Sequence, residues 1–154
     1  MPPTPTERLR ELGITLPPPP KPMGSYAPVV VDRGLATVAG QIATAAGSVL
    51  SPGLVDRDVP IDRAKELARA ATLQGLSALS DALGSLDRVR RILRVTVYVA
   101  SSEGFVRHPE VANGASELLI ELFGEAGRPA RSAVGVASLP AHAPVEIEIT
   151  AAVD

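Results

Sequence analysis

The stretch Ala130 to Asp154, ARSAVGVASLPAHAPVEIEITAAVD, decides how the rest of the chain is read. Two runs rich in β-branched and small residues, Arg131 to Leu139 and Val145 to Val153, flank a Pro/Ala/His turn, a pattern that predicts a β-hairpin. Alternation assigns its faces. Val134 and Val136 are expected to share one face with Val145, Ile147 and Ile149. The other face is expected to carry Arg131, Ala133, Gly135 and Ala137 opposite Glu146, Glu148 and Thr150. A cation and two carboxylates then stand on a strip of very small side chains, and room beside charge suits a ligand. Taken alone, outward charges on an antiparallel sheet are more often simply solvated.

The residues from Pro129 to Glu148 tilt that balance. PARSAVGVASLP followed by VEIE resembles the signature region of the RidA/YjgF family, also called the endoribonuclease L-PSP family, with the same spacing from Arg131 to Glu146. Tyr26 and Gly40-Gln41 fall where that family has an active-site tyrosine and a pocket glycine. Asn113 falls at a helix-borne asparagine near the pocket. The resemblance implies an α+β, chorismate-mutase-like fold with a mixed sheet, two helices on one face, and a homotrimer with sites between subunits. It implies hydrolysis of reactive enamines and imines such as 2-aminoacrylate to 2-oxo acids and ammonia, with no metal or organic cofactor. Arg131 would hold the substrate carboxylate and Glu146 would handle water and proton. Tyr26, Gly40, Gln41, Asn113 and Ala133 would line the pocket. Two departures stand out: Ala133 replaces a frequent cysteine, and the N-terminal leader is that of a longer branch.

Hairpin geometry gives its own reason for a shared site. With Leu139 opposite Pro144, Arg131 would face Ala152 and Glu146 would face Ala137. The two functional side chains would lie about 20 Å apart at roughly 3.3 Å per residue. A neighbour related by a three-fold axis could unite them.

Upstream, Ile92 to Ala100 (ILRVTVYVA) predicts a strand, with Arg94, Thr96 and Tyr98 on one face and Leu93, Val95, Val97 and Val99 on the other. It lies between two helices. Asp62 to Leu83 repeats Ala64, Leu67, Ala68, Ala71, Gly75, Leu79, Ala82 and Leu83 at helical spacing, with Asp62 as N-cap and Gly84 as stop. His108 to Phe123 buries Val111, Ala115, Leu118, Leu119 and Leu122. Val29–Val31 and Leu35–Gln41 around Asp32–Gly34 predict a hairpin. Thr44 to Asp58 reads as loop or short edge strand.

Residues 1–23 are expected to form a leader, and residues 24–154 the RidA/YjgF-like domain. Thr6 is a candidate N-cap of a short helix with Leu9, Leu12 and Ile14 on its apolar edge. Leu16-Pro17-Pro18-Pro19-Pro20-Lys21-Pro22 must be extended polyproline-like chain, a rigid connector rather than a ligand for an SH3-type module.

Composition bounds the rest. A chain of 154 residues with 45% hydrophobic and only 3% aromatic content builds one core from Ala, Val, Leu and Ile. The net charge of −2 offers no footprint for nucleic acid, and the arginines at 88, 90, 91 and 94 are the only basic concentration. There is no cysteine for a disulfide, thiolate or Cys-ligated metal, and His108 and His142 fit no metal-binding spacing. No segment reads as a signal peptide or membrane span, so a cytoplasmic location is expected. Two further functions compete with the deaminase: a non-catalytic trimeric module binding small carboxylates, and an endoribonuclease. Only the enzyme needs Glu146 for proton chemistry, and no histidine pair or aromatic-basic surface supports RNA cleavage.

Overall fold

The computed structural model describes residues 1–154. Its strands are β1 (Val29–Asp32), β2 (Leu35–Ile42), β3 (Thr44–Ala45), β4 (Ser48–Val49), β5 (Val89–Ala100), β6 (Ala130–Val136) and β7 (Val145–Val153). Its helices are α1 (Pro5–Glu11), α2 (Ile61–Leu83) and α3 (His108–Phe123). Five strands form one mixed sheet in the order β1-β2-β7-β5-β6, and β3 and β4 pair separately. Both long helices lie on one sheet face, α2 over β2 and β7, α3 over β5 and β6. No helix is long and apolar enough to cross a membrane.

The expected C-terminal hairpin does not form. β6 pairs in parallel with β5, and β7 pairs antiparallel with β5 on its other side and with β2. The helix between β5 and β6 makes those two strands parallel, and β7 takes the other side of β5, where β2 pairs its second edge. Parallel neighbours need a crossover of about a dozen residues or more, and α3 supplies it, so β5-α3-β6 is a βαβ unit. The chain from Ala137 to Pro144 then steps past β5 rather than reversing on β6.

The faces change with the pairing. Val95, Val97 and Val99 are buried and stand level with Ile149, Ile147 and Val145 of β7. The same three valines stand level with Arg131, Ala133 and Gly135 of β6. Arg131 therefore lies on the helix side, whereas Glu146, level with Tyr98, lies on the open side. The expectation that Arg131 and Glu146 share a face is wrong. So is the placing of Val134 in the core: it stands level with Tyr98 on the open face and is exposed. A ladder irregularity between Ile92 and Arg94 puts Ile92 inside and leaves Leu93 partly exposed.

The core follows from alternation and helical period. Along β7, Val145, Ile147, Ile149, Ala151 and Val153 are all buried and the residues between them are not. Leu67, Leu76 and Leu79 of α2 and Leu118, Leu119 and Leu122 of α3 close over that face. Each such buried side chain stabilises the fold by roughly 1.5–3 kcal/mol. Ala82 is exposed, and Leu76 takes its place in the stripe. Gly84 ends α2 at φ 83°, in the left-handed region. The N-cap of α2 is Pro60, not Asp62.

α1 is capped by Thr4 rather than Thr6, in a capping box with Glu7. Pro5 occupies the first helical turn, where no backbone N–H is needed, and this moves the start upstream of Thr6. Leu9, Ile14 and Leu16 lie against the core, while Leu12 stays exposed. The Thr6 N–H donates to Asp87 Oδ1 at 2.9 Å and Arg8 Nε to the Glu121 carbonyl at 3.1 Å.

α2 and α3 approach closely at Gly114, where a Cβ would lie 2.0 Å from the Lys65 carbonyl oxygen. Gly114→Ala should gain roughly 1 kcal/mol of helix propensity, yet forced separation of the helices should leave a net loss of about 1–3 kcal/mol. Thermal unfolding reads the balance: a lower Tm is expected, and an equal or higher Tm would mean that the crossing opens without cost.

Candidate functional site

Two groups of polar side chains stand apart on the two sides of the sheet. The first is built where α3 covers the edge strand β6. Asn113 and Ser116 are three residues apart on α3, so they meet β6 from one helix face. Arg131 Nη1 donates to Asn113 Oδ1 at 2.7 Å and to Ser116 Oγ at 2.9 Å. Both acceptors are neutral, and no carboxylate of the chain pairs with Arg131. The guanidinium is half-buried, oriented through one nitrogen, with its other donors unengaged. A planar fork held in this way suits bidentate capture of a carboxylate. Ala133 follows Arg131 on the same side of β6. Since β6 is the sheet edge, its outer backbone groups have no strand partner.

The second group surrounds Glu146. A bulge in β2 between Val38 and Gln41 breaks the ladder to β7. It brings Gly40 against Glu146, where a Cβ on Gly40 would lie 2.8 Å from Oε1. Glycine here leaves the space that the carboxylate fills, and a Cβ would push the carboxylate aside. A cavity of about 930 Å3 opens here, lined by Tyr26, Gly40, Gln41 and Glu146, with Gln74 of α2 and the proline-rich leader as further walls. Gln74 is fixed by donating from Nε2 to the Thr44 carbonyl at 2.9 Å and to Thr44 Oγ1 at 2.8 Å. Gln41 bends back to the Ala39 carbonyl at 3.2 Å.

Burial pushes the Glu146 carboxyl above the ordinary glutamate range, and the negative charge of Glu148 pushes it further the same way. Glu148 accepts a hydrogen bond from the Tyr98 hydroxyl at 2.7 Å. That bond, followed by loss of water, holds the Tyr98 phenol above its usual value.

Of the expected site residues, Tyr26, Gly40, Gln41 and Glu146 come together around the cavity, and Arg131, Asn113 and Ala133 come together at the β6 edge. The two sets do not meet within one chain. Along β5, Arg131 is level with Val95 and Glu146 with Tyr98, on opposite sides of that strand. Three residues along and two strand spacings across give about 14 Å between their backbones, and the side chains diverge to opposite faces. The 20 Å hairpin separation was therefore wrong in its register. Sequence reasoning missed Ser116 and Gln74. Ser116 was detectable as the residue one helical turn beyond Asn113, whereas Gln74 on an alanine-rich helix gave no signal.

Comparisons with known proteins bear on the whole of this arrangement. Residues 6–149 match the family model described as "YjgF/chorismate_mutase-like, putative endoribonuclease". A curated Trypanosoma cruzi relative, Protein TCP17, is 40% identical over 141 residues, covering 91% of this chain and 88% of that protein. The crystal structure of Atu1372 from Agrobacterium tumefaciens, a protein of unknown function, superposes with a TM-score of 0.88 at 39% identity, covering 98% of this chain and 92% of that one. A Shewanella oneidensis chain carrying the same endoribonuclease description superposes at 0.93 with 29% identity, covering 97% of this chain and 99% of that one. With the match running through both polar groups and the sheet between them, the chain belongs to the YjgF/chorismate-mutase-like family.

Proposed function

We propose that the protein is an enamine/imine deaminase that hydrolyses 2-aminoacrylate-type intermediates to 2-oxo acids and ammonia, as a cytoplasmic homotrimer with sites between subunits. The observation that carries this reading is Arg131: a half-buried guanidinium oriented by neutral partners, with no carboxylate of its own. Such a group is left to be satisfied by an anion from outside the chain.

The chemistry then needs one acid/base group near the carbon that bears nitrogen. Glu146 suits it, because burial favours its protonated form to higher pH than in water. The protonated carboxyl gives its proton to the enamine carbon, and the product is an iminium cation. Water adds to the iminium carbon as the Glu146 carboxylate takes up a proton. That proton passes to the carbinolamine nitrogen, the C–N bond breaks, nitrogen leaves as ammonia, and the carboxylate takes the hydroxyl proton as the carbonyl of the 2-oxo acid forms. The Tyr26 hydroxyl accepts from the Met23 N–H at 3.1 Å, so its own proton is free to donate to a bound molecule.

A shared site follows from the distance between the two halves. Glu146 of one subunit would meet Arg131 of the next, and a head-to-tail contact repeated round an axis closes into a ring. The open sheet face, with Val30, Leu35 and Val134 exposed on it, supports association through that side. A carboxylate-binding module would use Arg131 equally well but would have no need of proton transfer by Glu146.

Subunit mixing tests both the residues and the sharing. Arg131→Ala should lower kcat/KM for imine hydrolysis roughly 10- to 100-fold, as expected for losing a charge-assisted pair. Glu146→Gln should lower kcat about 100-fold or more. Trimers reassembled from equal parts of the two inactive variants should recover about a quarter of wild-type activity, since one pairing in four restores both groups. No recovery, with both variants folded, would sink the shared site; a wild type that does not accelerate imine hydrolysis would sink the deaminase.

The pH dependence has a definite sign. A carboxyl raised in the folded state binds protons there that the unfolded chain has already released, so stability falls as pH rises through that interval. Glu146→Gln should remove this slope. Glu148→Gln should move the Glu146 limb of the activity profile to lower pH, because a like charge is removed. A limb that stays in place would show that burial alone sets it.

A further inference from the structure

The walls of the Glu146 cavity are unusual in one respect: one is made by the leader. Pro17, Pro18, Pro20, Lys21, Pro22 and Met23 all line it. The leader is fixed at both ends of this run. Ser77 of α2 donates to the Pro17 carbonyl, and the Met23 N–H donates to Tyr26 Oη. Upstream, α1 ties the chain to Asp87 and Glu121. The run is therefore a strap laid across the cavity.

Proline has no N–H and a fixed φ, so this wall is stiff and almost without hydrogen-bond donors. Lys21 stands between Pro20 and Pro22. It is the one cation among the residues lining the cavity, and Glu146 is the one anion. No carboxylate of the chain lies within ion-pair distance of Lys21. The cavity volume of about 930 Å3 far exceeds the need of a three-carbon imine; cavities of roughly 300–1,000 Å3 hold much larger ligands.

We infer that Lys21 reads a second acidic group, so that the preferred substrates are imines or enamines bearing a carboxylate on their side chain as well as at C1. This rests on the proposed deaminase site. Arg131 of the neighbour takes the C1 carboxylate, Glu146 faces the reacting carbon, and the strap presents its single charge to the far end. A side chain ending in methyl would find proline rings and Met23 there. A side chain ending in carboxylate finds the ammonium, and the rigid backbone on either side lowers the entropy lost in holding it. Lys21 is a specificity residue in this account, since it touches the substrate away from the bonds that change.

Calorimetric titration of the full chain with two stable products, 2-oxobutanoate and 2-oxoglutarate, tests this without catalysis. The wild type should bind the dicarboxylate more tightly. Lys21→Ala should shrink that preference roughly three- to five-fold, the upper range for a solvent-exposed ion pair. Affinity for 2-oxobutanoate should hardly change. Lys21→Arg should keep the preference, and Lys21→Glu should reverse it. A preference that is absent, or indifferent to all three substitutions, overturns the inference. Turnover of the two corresponding imines, measured alongside, separates the two ideas. Hydrolysis with unchanged selectivity sinks the role of Lys21 alone. Binding that follows Lys21 with no hydrolysis of either imine supports that role and sinks the deaminase.

Discussion

Everything in this molecule depends on β7 being paired on both sides. Strict alternation along Val145–Val153 buries one side chain in two beneath α2 and leaves the others, Glu146, Glu148, Thr150 and Ala152, on the open face. A slip of one residue would put two carboxylates into the leucine core, a cost of several kcal/mol per ion. Register is thus enforced by desolvation. That same register lays Glu146 beside the β2 bulge, so the demand that folds the sheet also sets the partly buried environment that raises its pKa.

The two polar groups stand on opposite sides of one sheet and do not meet within the chain. On the helix side, α3 supplies neutral acceptors that orient Arg131 while leaving its charge uncompensated. On the open side, the bulge at Gly40 and the Tyr98–Glu148 pair surround Glu146. Were both groups on one face of one chain, they would form an ion pair, and each would be spent on the other. Keeping them about 14 Å apart on opposite faces of β5 holds each available.

Much of this was legible from residue patterns. The burial of Val145, Ile147 and Ile149, the apolar side of α3 and the first hairpin follow from period and turn chemistry. Arg131 and Glu146 stand out as charges among very small residues, whereas Tyr26, Gly40, Gln41 and Asn113 are legible only through resemblance, since nothing in Tyr26 or Gly40 as residues announces a pocket. Strand pairing is less legible, because adjacency in sequence is not adjacency in space: a strand, a helix of sixteen residues and another strand make a parallel unit. β6 lies on one side of β5 and β7 on the other, and with that pairing the faces of Arg131 and Glu146 separate. The N-cap of α1 was misplaced by two residues because Pro5 starts the helix earlier than Thr6 would.

The order of the strands has a consequence for how the chain is made. β7 follows every other strand of the sheet in sequence yet lies between β2 and β5. A ribosome therefore delivers two fragments first, the β1–β2 hairpin under α2 and the β5-α3-β6 unit, each with an unsatisfied edge. Their sheet edges cannot join until the central strand has emerged. In that interval the nascent protein exposes the same apolar strips that later form its interior, and chaperone dependence or aggregation during synthesis is decided there rather than at the native state.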